Sequence, residues 1–240
     1  NSFKSLLPKH KAIKYSMGPV FLTPKVEFDF KNFLKTWAFF SLTNKFLRKK
    51  YSKKQSENII SGMHAACSLF FSGPNNIKRL RWFSSAYFVH DFLQIFFSKK
   101  LNVMKLGYMY HHLSGIYLLT QDSREVPVRD MLFWGELSNL PSYPLYHYLH
   151  QNNNADKQKI IFFQILQKTL YTGIRIPLLS HKLINYLMTT ETYKHLFAIL
   201  PVYLMGIIWG GKIVTQSIKY TPEEAEDLAE LIENSYFAIV

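Results

Sequence analysis

Cysteine is almost missing: Cys67 is the only one in 240 residues, so the chain has no internal disulfide, and its presence says little about compartment. Acidic side chains are scarce as well, 16 Asp and Glu against 29 Lys and Arg, for a formal charge of +13. Polar residues do not alternate with a period of two and no hairpin signal occurs, which argues against a sheet framework. No internal repeat is present, and no cleavable secretory signal is visible. The sequence begins at Asn1 instead of Met, which suggests a trimmed record or a mature chain that has lost a leader.

What is abundant is apolar and aromatic: 48% of residues are hydrophobic and 16% aromatic. The mean hydropathy of -0.06 looks too low for a membrane protein, but it averages Lys- and Asn-rich connectors with Phe- and Leu-rich segments. A nucleic-acid domain gathers its positive charge on one face or arm with polar surroundings. Here the basic residues sit in short clusters between apolar blocks, such as Arg48, Lys49, Lys50, Lys53 and Lys54, or Lys78, Arg79 and Arg81. Lys99, Lys100 and Lys105 repeat the arrangement. That is where a multispanning protein carries charge, at the headgroup level, so membrane lipids are the expected partner and nucleic acid is not.

Three regions follow: a basic N-terminal arm over 1–27, a membrane domain over 28–219 and an acidic tail over 220–240. Within the domain the expected fold is all-α, a multi-pass transmembrane bundle of six or seven spans. The apolar blocks run Phe28 to Leu47, Asn58 to Phe71, Trp82 to Phe97 and Leu106 to Leu119, then Met131 to Leu149, Ile160 to Leu187 and Leu196 to Val214. Lys31, Asn32, Lys35 and Thr36 put a polar stripe on the first block, which could therefore lie at the interface. Gly73 and Pro74 mark the joint after the second block, and Asn152 to Asn154 the joint after the fifth. Pro177 and Pro201 predict kinks in the sixth and seventh. Thr221 to Glu233 reads as a capped, acidic amphipathic helix outside the membrane. Basic residues in the arm and in the first three connectors leave the orientation open.

Several blocks contain ionisable or polar groups that an apolar environment penalises unless they are paired or used. His64 lies in the second, His90 and Asp91 with Gln94 in the third, His111, His112 and Ser114 in the fourth, Glu136 and Ser138 in the fifth and Arg175 in the sixth. Groups spread over separate helices converge only in a bundle interior, where one Arg and several imidazoles can neutralise two acids. Asp91 should accordingly face inward, within reach of Arg175, His64, His111 or His112. Neutralisation of Asp91 and Glu136 by Arg175 is favoured over the alternative, that the two acids orient the imidazoles of His111 and His112. Adjacent His111 and His112 point about 100° apart on a helix and are a poor metal pair, so no metal is assigned. His147, His150, His181 and His195 lie near block ends or in less distinctive company and suggest interface positions.

The order H-A in one helix, Y-F-x-x-D in the next, then H-H, E-L-S and an Arg-containing helix resembles the TLC domain. That domain is shared by translocating-chain-associating membrane proteins, longevity-assurance ceramide synthases and ceroid lipofuscinosis relatives. The resemblance covers about Asn44 to Lys219 and rests on His64, Asp91, His111, His112, Glu136, Ser138 and Arg175. It implies an endoplasmic-reticulum bundle with a lipid-handling cavity between helices. In the synthase branch the paired His accompany an Arg and an H-D-x-x-D element and are implicated in N-acylation of a sphingoid base by acyl-CoA. This chain keeps His111, His112 and Arg129, but has Glu136, Leu137, Ser138, Asn139 and Leu140 where that acidic element belongs.

Three functions are therefore in view. One is a lipid-binding or lipid-organising protein without catalysis and without a cofactor. A second is a structural subunit of a larger membrane assembly, in the mitochondrial inner membrane, with other membrane subunits as partners. The third is an acyltransferase using acyl-CoA as cosubstrate, with His111 and His112 supplying the base.

Overall fold

The computed structural model describes residues 28–73, 76–98, 101–121, 128–150, 156–189, 193 and 195–215. The basic arm, Pro74, the Asn152 to Asn154 joint and the acidic tail helix lie outside them. Every regular element among the described residues is helical. Seven helical segments result among the described residues, matching the seven apolar blocks. The first four are α1 (Phe30–Leu47), α2 (Lys53–Phe71), α3 (Ile77–Phe96) and α4 (Val103–Thr120). The fifth is broken into α5 (Val128–Asn139) and α6 (Ser142–Leu149). The sixth runs through α7 (Lys157–Leu170), a π-turn (Tyr171–Arg175) and α8 (Ile176–Thr189), and α9 (Leu196–Thr215) is the seventh.

Polar start signals lengthen several helices beyond their apolar blocks. Ser52 and Gln55 form a reciprocal capping box that begins α2 more than a turn before Asn58. Asn102 caps α4 by accepting from the Lys105 N–H, and Asp156 caps α7 by accepting from Lys159. The fifth block breaks at Leu140 and Pro141, because a proline has no N–H to continue the ladder. Ahead of Pro177 the chain adopts the π-turn, so the proline expected to kink this helix lies beside a local register change. Helix α9 continues through Pro201.

Helix α3 lies at the centre, packed along α1 on one side and α4 on the other, with α2 behind it. Helix α4 also meets α9, α9 meets α8, and α5 connects α2 to the π-turn and α8. Two glycines one turn apart let α9 approach closely. A Cβ at Gly210 would stand 2.7 Å from Ile176 Cδ1, and one at Gly206 3.5 Å from Arg175 Nε. Spacing small residues this way is how helices bring their backbones together where side-chain bulk would hold them apart.

The interior is unusual in composition. Among the described residues, 22 buried polar or charged side chains stand beside 23 buried hydrophobic ones, while 25 large hydrophobic side chains are exposed. Soluble globules mostly keep their polar residues outside. Among the same residues one helix, α9, is both long and apolar enough to cross a membrane.

Candidate functional site

His90 and Asp91 are neighbours in sequence but not in function. On a helix they point about 100° apart, so each meets a different neighbour. His90 faces α1: its Nε2 accepts from Asn44 Nδ2 at 3.3 Å, and its Nδ1 lies 3.2 Å from Ser41 Oγ. An amide nitrogen only donates, so the ring proton belongs on Nδ1 and points at the serine. Asn44 Oδ1 also accepts from Arg48 Nε, and Arg48 Nη2 donates to Gln94 and Glu57 at 2.7 and 3.0 Å. Gln94 thus belongs to a polar joint of α1, α2 and α3. Arg48, read from the sequence as a headgroup charge, organises that joint.

Asp91 faces α4, where its Oδ2 stands 2.8 Å from His112 Nε2. Asp91 is 9% exposed and His112 1%. The inward position expected of Asp91 is therefore what the structure has, with an imidazole as the partner.

His64 lies at the heart of α2, fully buried and stacked on Tyr87 with ring centroids 3.9 Å apart. Its Nε2 is 2.9 Å from Ser68 Oγ, which reaches Ser84 Oγ at 3.1 Å. Its Nδ1 lies 3.4 Å from Glu136 Oε1 but is not aligned as a hydrogen bond. The favoured pairing of both acids with Arg175 is not what the structure has. Arg175 Nη1 donates to Asn139 Oδ1 at 2.7 Å and its guanidinium lies over the Tyr171 ring. Each acid instead lies beside an imidazole on another helix, since the π-turn positions Arg175 against the end of α5, one turn beyond Glu136.

Glu136, Arg175, Asn139 and His111 share one cavity of about 100 Å³ between α3, α4, α5, α8 and α9. Its other walls are apolar, among them Phe88, Leu118, Met131, Leu132, Leu179 and Val202. Three polar atoms carried by the lining residues are enclosed and have no hydrogen-bond partner: His111 Nδ1, Glu136 Oε2 and Arg175 Nε. A buried polar atom left in that state costs about 1–3 kcal/mol, but His64 Nδ1 and His112 Nδ1 outside the lining share it, so what marks the cavity is the buried Glu136 and Arg175 side chains set on one largely apolar space. A wider groove of about 540 Å³ between α2, the α5–α6 break and α7 carries no charged side chain in its lining.

The sequence-derived polar set therefore divides. His111, Glu136 and Arg175 reach the cavity; His112 and Asp91 join α4 to α3; His90 and Gln94 join α3 to α1; His64 stands behind Glu136. Ser138 turns back to donate to the Gly135 carbonyl at 2.7 Å, and Ser114 is buried on α4. His195, expected near an interface, is buried, its Nδ1 2.9 Å from the Tyr117 hydroxyl. Sequence reasoning passed over Asn139 and Asn44. Spacing could have found both, because Asn139 lies three residues beyond Glu136 and Asn44 four before Arg48, each on the same helical face.

Among the described residues no cluster of three or more His, Cys, Asp or Glu side chains is arranged to hold a metal ion. Comparison with protein-family models, with curated proteins and with solved structures finds no match to this chain.

Proposed function

We propose that the chain is a multi-pass, TLC-like membrane protein that binds lipid in the cavity between α4, α5 and α8 without transforming it. The observation that carries the membrane part is the reversed distribution of polarity. Twenty-five exposed large hydrophobic residues enclose an interior that is nearly half polar, an arrangement favoured when the surrounding solvent is hydrocarbon. Helices of 18 to 20 residues, such as α1, α3 and α9, are about 27–30 Å long, which suits a hydrocarbon core of roughly that thickness. Part of the polarity that lowers the hydropathy of the other helices is turned inward, as at His64, Asp91, His112 and Glu136, while Lys31, Lys35, Lys53 and Lys157 are exposed. By the resemblance noted above, the membrane is that of the endoplasmic reticulum.

Gly135 provides the test. It borders the cavity, and no atom lies within 4 Å of where its Cβ would be. Gly135→Leu should therefore insert into free space with little strain. Purified in mild detergent, the native chain should carry bound lipid in native mass spectra, and Gly135→Leu should carry much less while melting at the same temperature. A native chain free of lipid would sink the proposal, as would extraction of the protein from membranes by alkaline carbonate.

One observation keeps a catalytic reading in view: His111 lines the same cavity as Glu136 and Arg175. A general base must reach the proton it removes, and His112 is not among the lining residues and is already engaged by Asp91. A reconstituted assay with labelled acyl-CoA and a sphingoid base should show no turnover. Turnover lost in the His111→Ala, His112→Ala double variant would promote the enzyme reading.

A further inference from the structure

The cavity's charges and size bear on which lipid it takes, an argument that rests on the lipid-binding reading. Glu136 and Arg175, each 5% exposed, stand on the same cavity with no ion pair between them. A guanidinium only donates hydrogen bonds, whereas a carboxylate accepts them. An anionic head satisfies the first and is repelled by the second. A cationic head meets the reverse, and like-charge contact across an interface costs several kcal/mol. A head that is uncharged but carries both a donor and an acceptor satisfies both groups.

Size narrows the choice further. A cavity of about 100 Å³ is smaller than one of about 150 Å³ that holds a benzene ring. The space is half-open, so the part of a ligand lodged against Glu136 and Arg175 is a few heavy atoms, with the rest reaching outward. The apolar walls of Phe88, Leu118, Leu132 and Leu179 suit the first methylenes of a chain. We infer that the cavity selects a one-chain amphiphile with a small, uncharged head that both donates and accepts hydrogen bonds, a hydroxyl or a primary amide.

The test uses the full chain in phosphatidylcholine nanodiscs, cross-linked with a photoactivatable oleyl alcohol. Competitors share one chain and differ in head: oleyl alcohol, oleamide, oleic acid, oleylamine, lysophosphatidylcholine and headless octadecene, each corrected for its partition into the disc. Oleyl alcohol and oleamide should compete about tenfold or more better than the charged analogues and octadecene, as expected for a site with buried groups of both signs. The variants should show gains: Glu136→Gln should admit oleic acid, and Arg175→Gln should admit oleylamine, which a merely damaged fold would not do. Equal competition by oleic acid, oleylamine, lysophosphatidylcholine or octadecene in the native chain would overturn the inference while leaving lipid binding intact. Absence of any cross-link at the cavity residues would overturn the lipid-binding reading, and this inference with it. The native panel decides the matter even if a variant fails to fold.

Discussion

Two imidazole–carboxylate contacts occupy the same bundle and behave as opposites. Between α3 and α4, Asp91 and His112 meet at 2.8 Å. Between α2 and α5, His64 and Glu136 stand 3.4 Å apart without hydrogen-bond alignment, and the second oxygen of Glu136 has no partner. The residue types are alike, so chemistry alone does not distinguish a closed joint from an open one. What differs is the surroundings: the first pair is held between two helices packed along their length, whereas the second borders a cavity. His112 Nδ1 also lacks a hydrogen-bond partner, so the direct 2.8 Å approach of the first pair and the cavity beside the second are what separate the two contacts.

The strongest attempt to break this comparison is Asp91→Ala. It strands a buried imidazole between α3 and α4, and breaking a buried pair in this way costs about 3–5 kcal/mol. Thermal denaturation in detergent should register most of that loss, and a variant as stable as the native chain would show that the joint is dispensable. Next comes a pair of glycines that both border the cavity. A Cβ at Gly115 would stand 2.7 Å from Phe88 Cε2, whereas one at Gly135 meets nothing. Gly115→Ala should therefore lose about 1–3 kcal/mol through overpacking. Gly135→Ala should be neutral or gain about 0.5–1 kcal/mol from helix propensity. Reversal of that order in parallel melting curves would mean that the open space lies elsewhere.

Glu136→Gln sharpens the contrast from the other side. Because one of its carboxylate oxygens is already unpartnered, the exchange should change stability by less than about 1 kcal/mol, well below the effect of Asp91→Ala. A loss as large as that of Asp91→Ala would place Glu136 among the structural joints. The smallest expected effect lies at the surface. Hydrogen bonds from Lys159 hold the Asp156 carboxyl below the usual carboxylate range. Its contribution as the α7 cap is present above the unfolded carboxylate pKa and is lost as pH falls through the lowered one. Hydrogen exchange at Lys159 should accelerate, relative to the pH dependence of an unfolded amide, as the solution is acidified through that range. No such change in Asp156→Asn, which keeps a capping oxygen without the titration, would identify the group responsible.

Much of the fold was legible because helix formation is a local property. Apolar run length gave seven segments, and Ser52, Asn102 and Asp156 mark starts whose capping geometry depends only on residues three positions away. The π-turn before Pro177 was not legible, since a proline predicts disturbance of the ladder without saying which register change absorbs it. The inward direction of Asp91 followed from the cost of leaving a carboxylate unpaired. Its partner did not, because His64, His111, His112 and Arg175 all satisfied the same energetic demand.

From the sequence alone, then, come the helical class, the positions of the segments and the requirement that the interior polar groups find one another. Tertiary structure decided which groups met: Asp91 with His112, His90 with Asn44, Arg175 with Asn139, and Glu136 beside an empty space. The physical reason is one of range. Periodicity and capping act within a turn or two of helix, whereas a hydrogen bond between helices requires two side chains to agree within a few tenths of an ångström. That agreement depends on the rotation and offset of each helix against its neighbours, as where Gly206 and Gly210 let α9 close on Arg175 and Ile176.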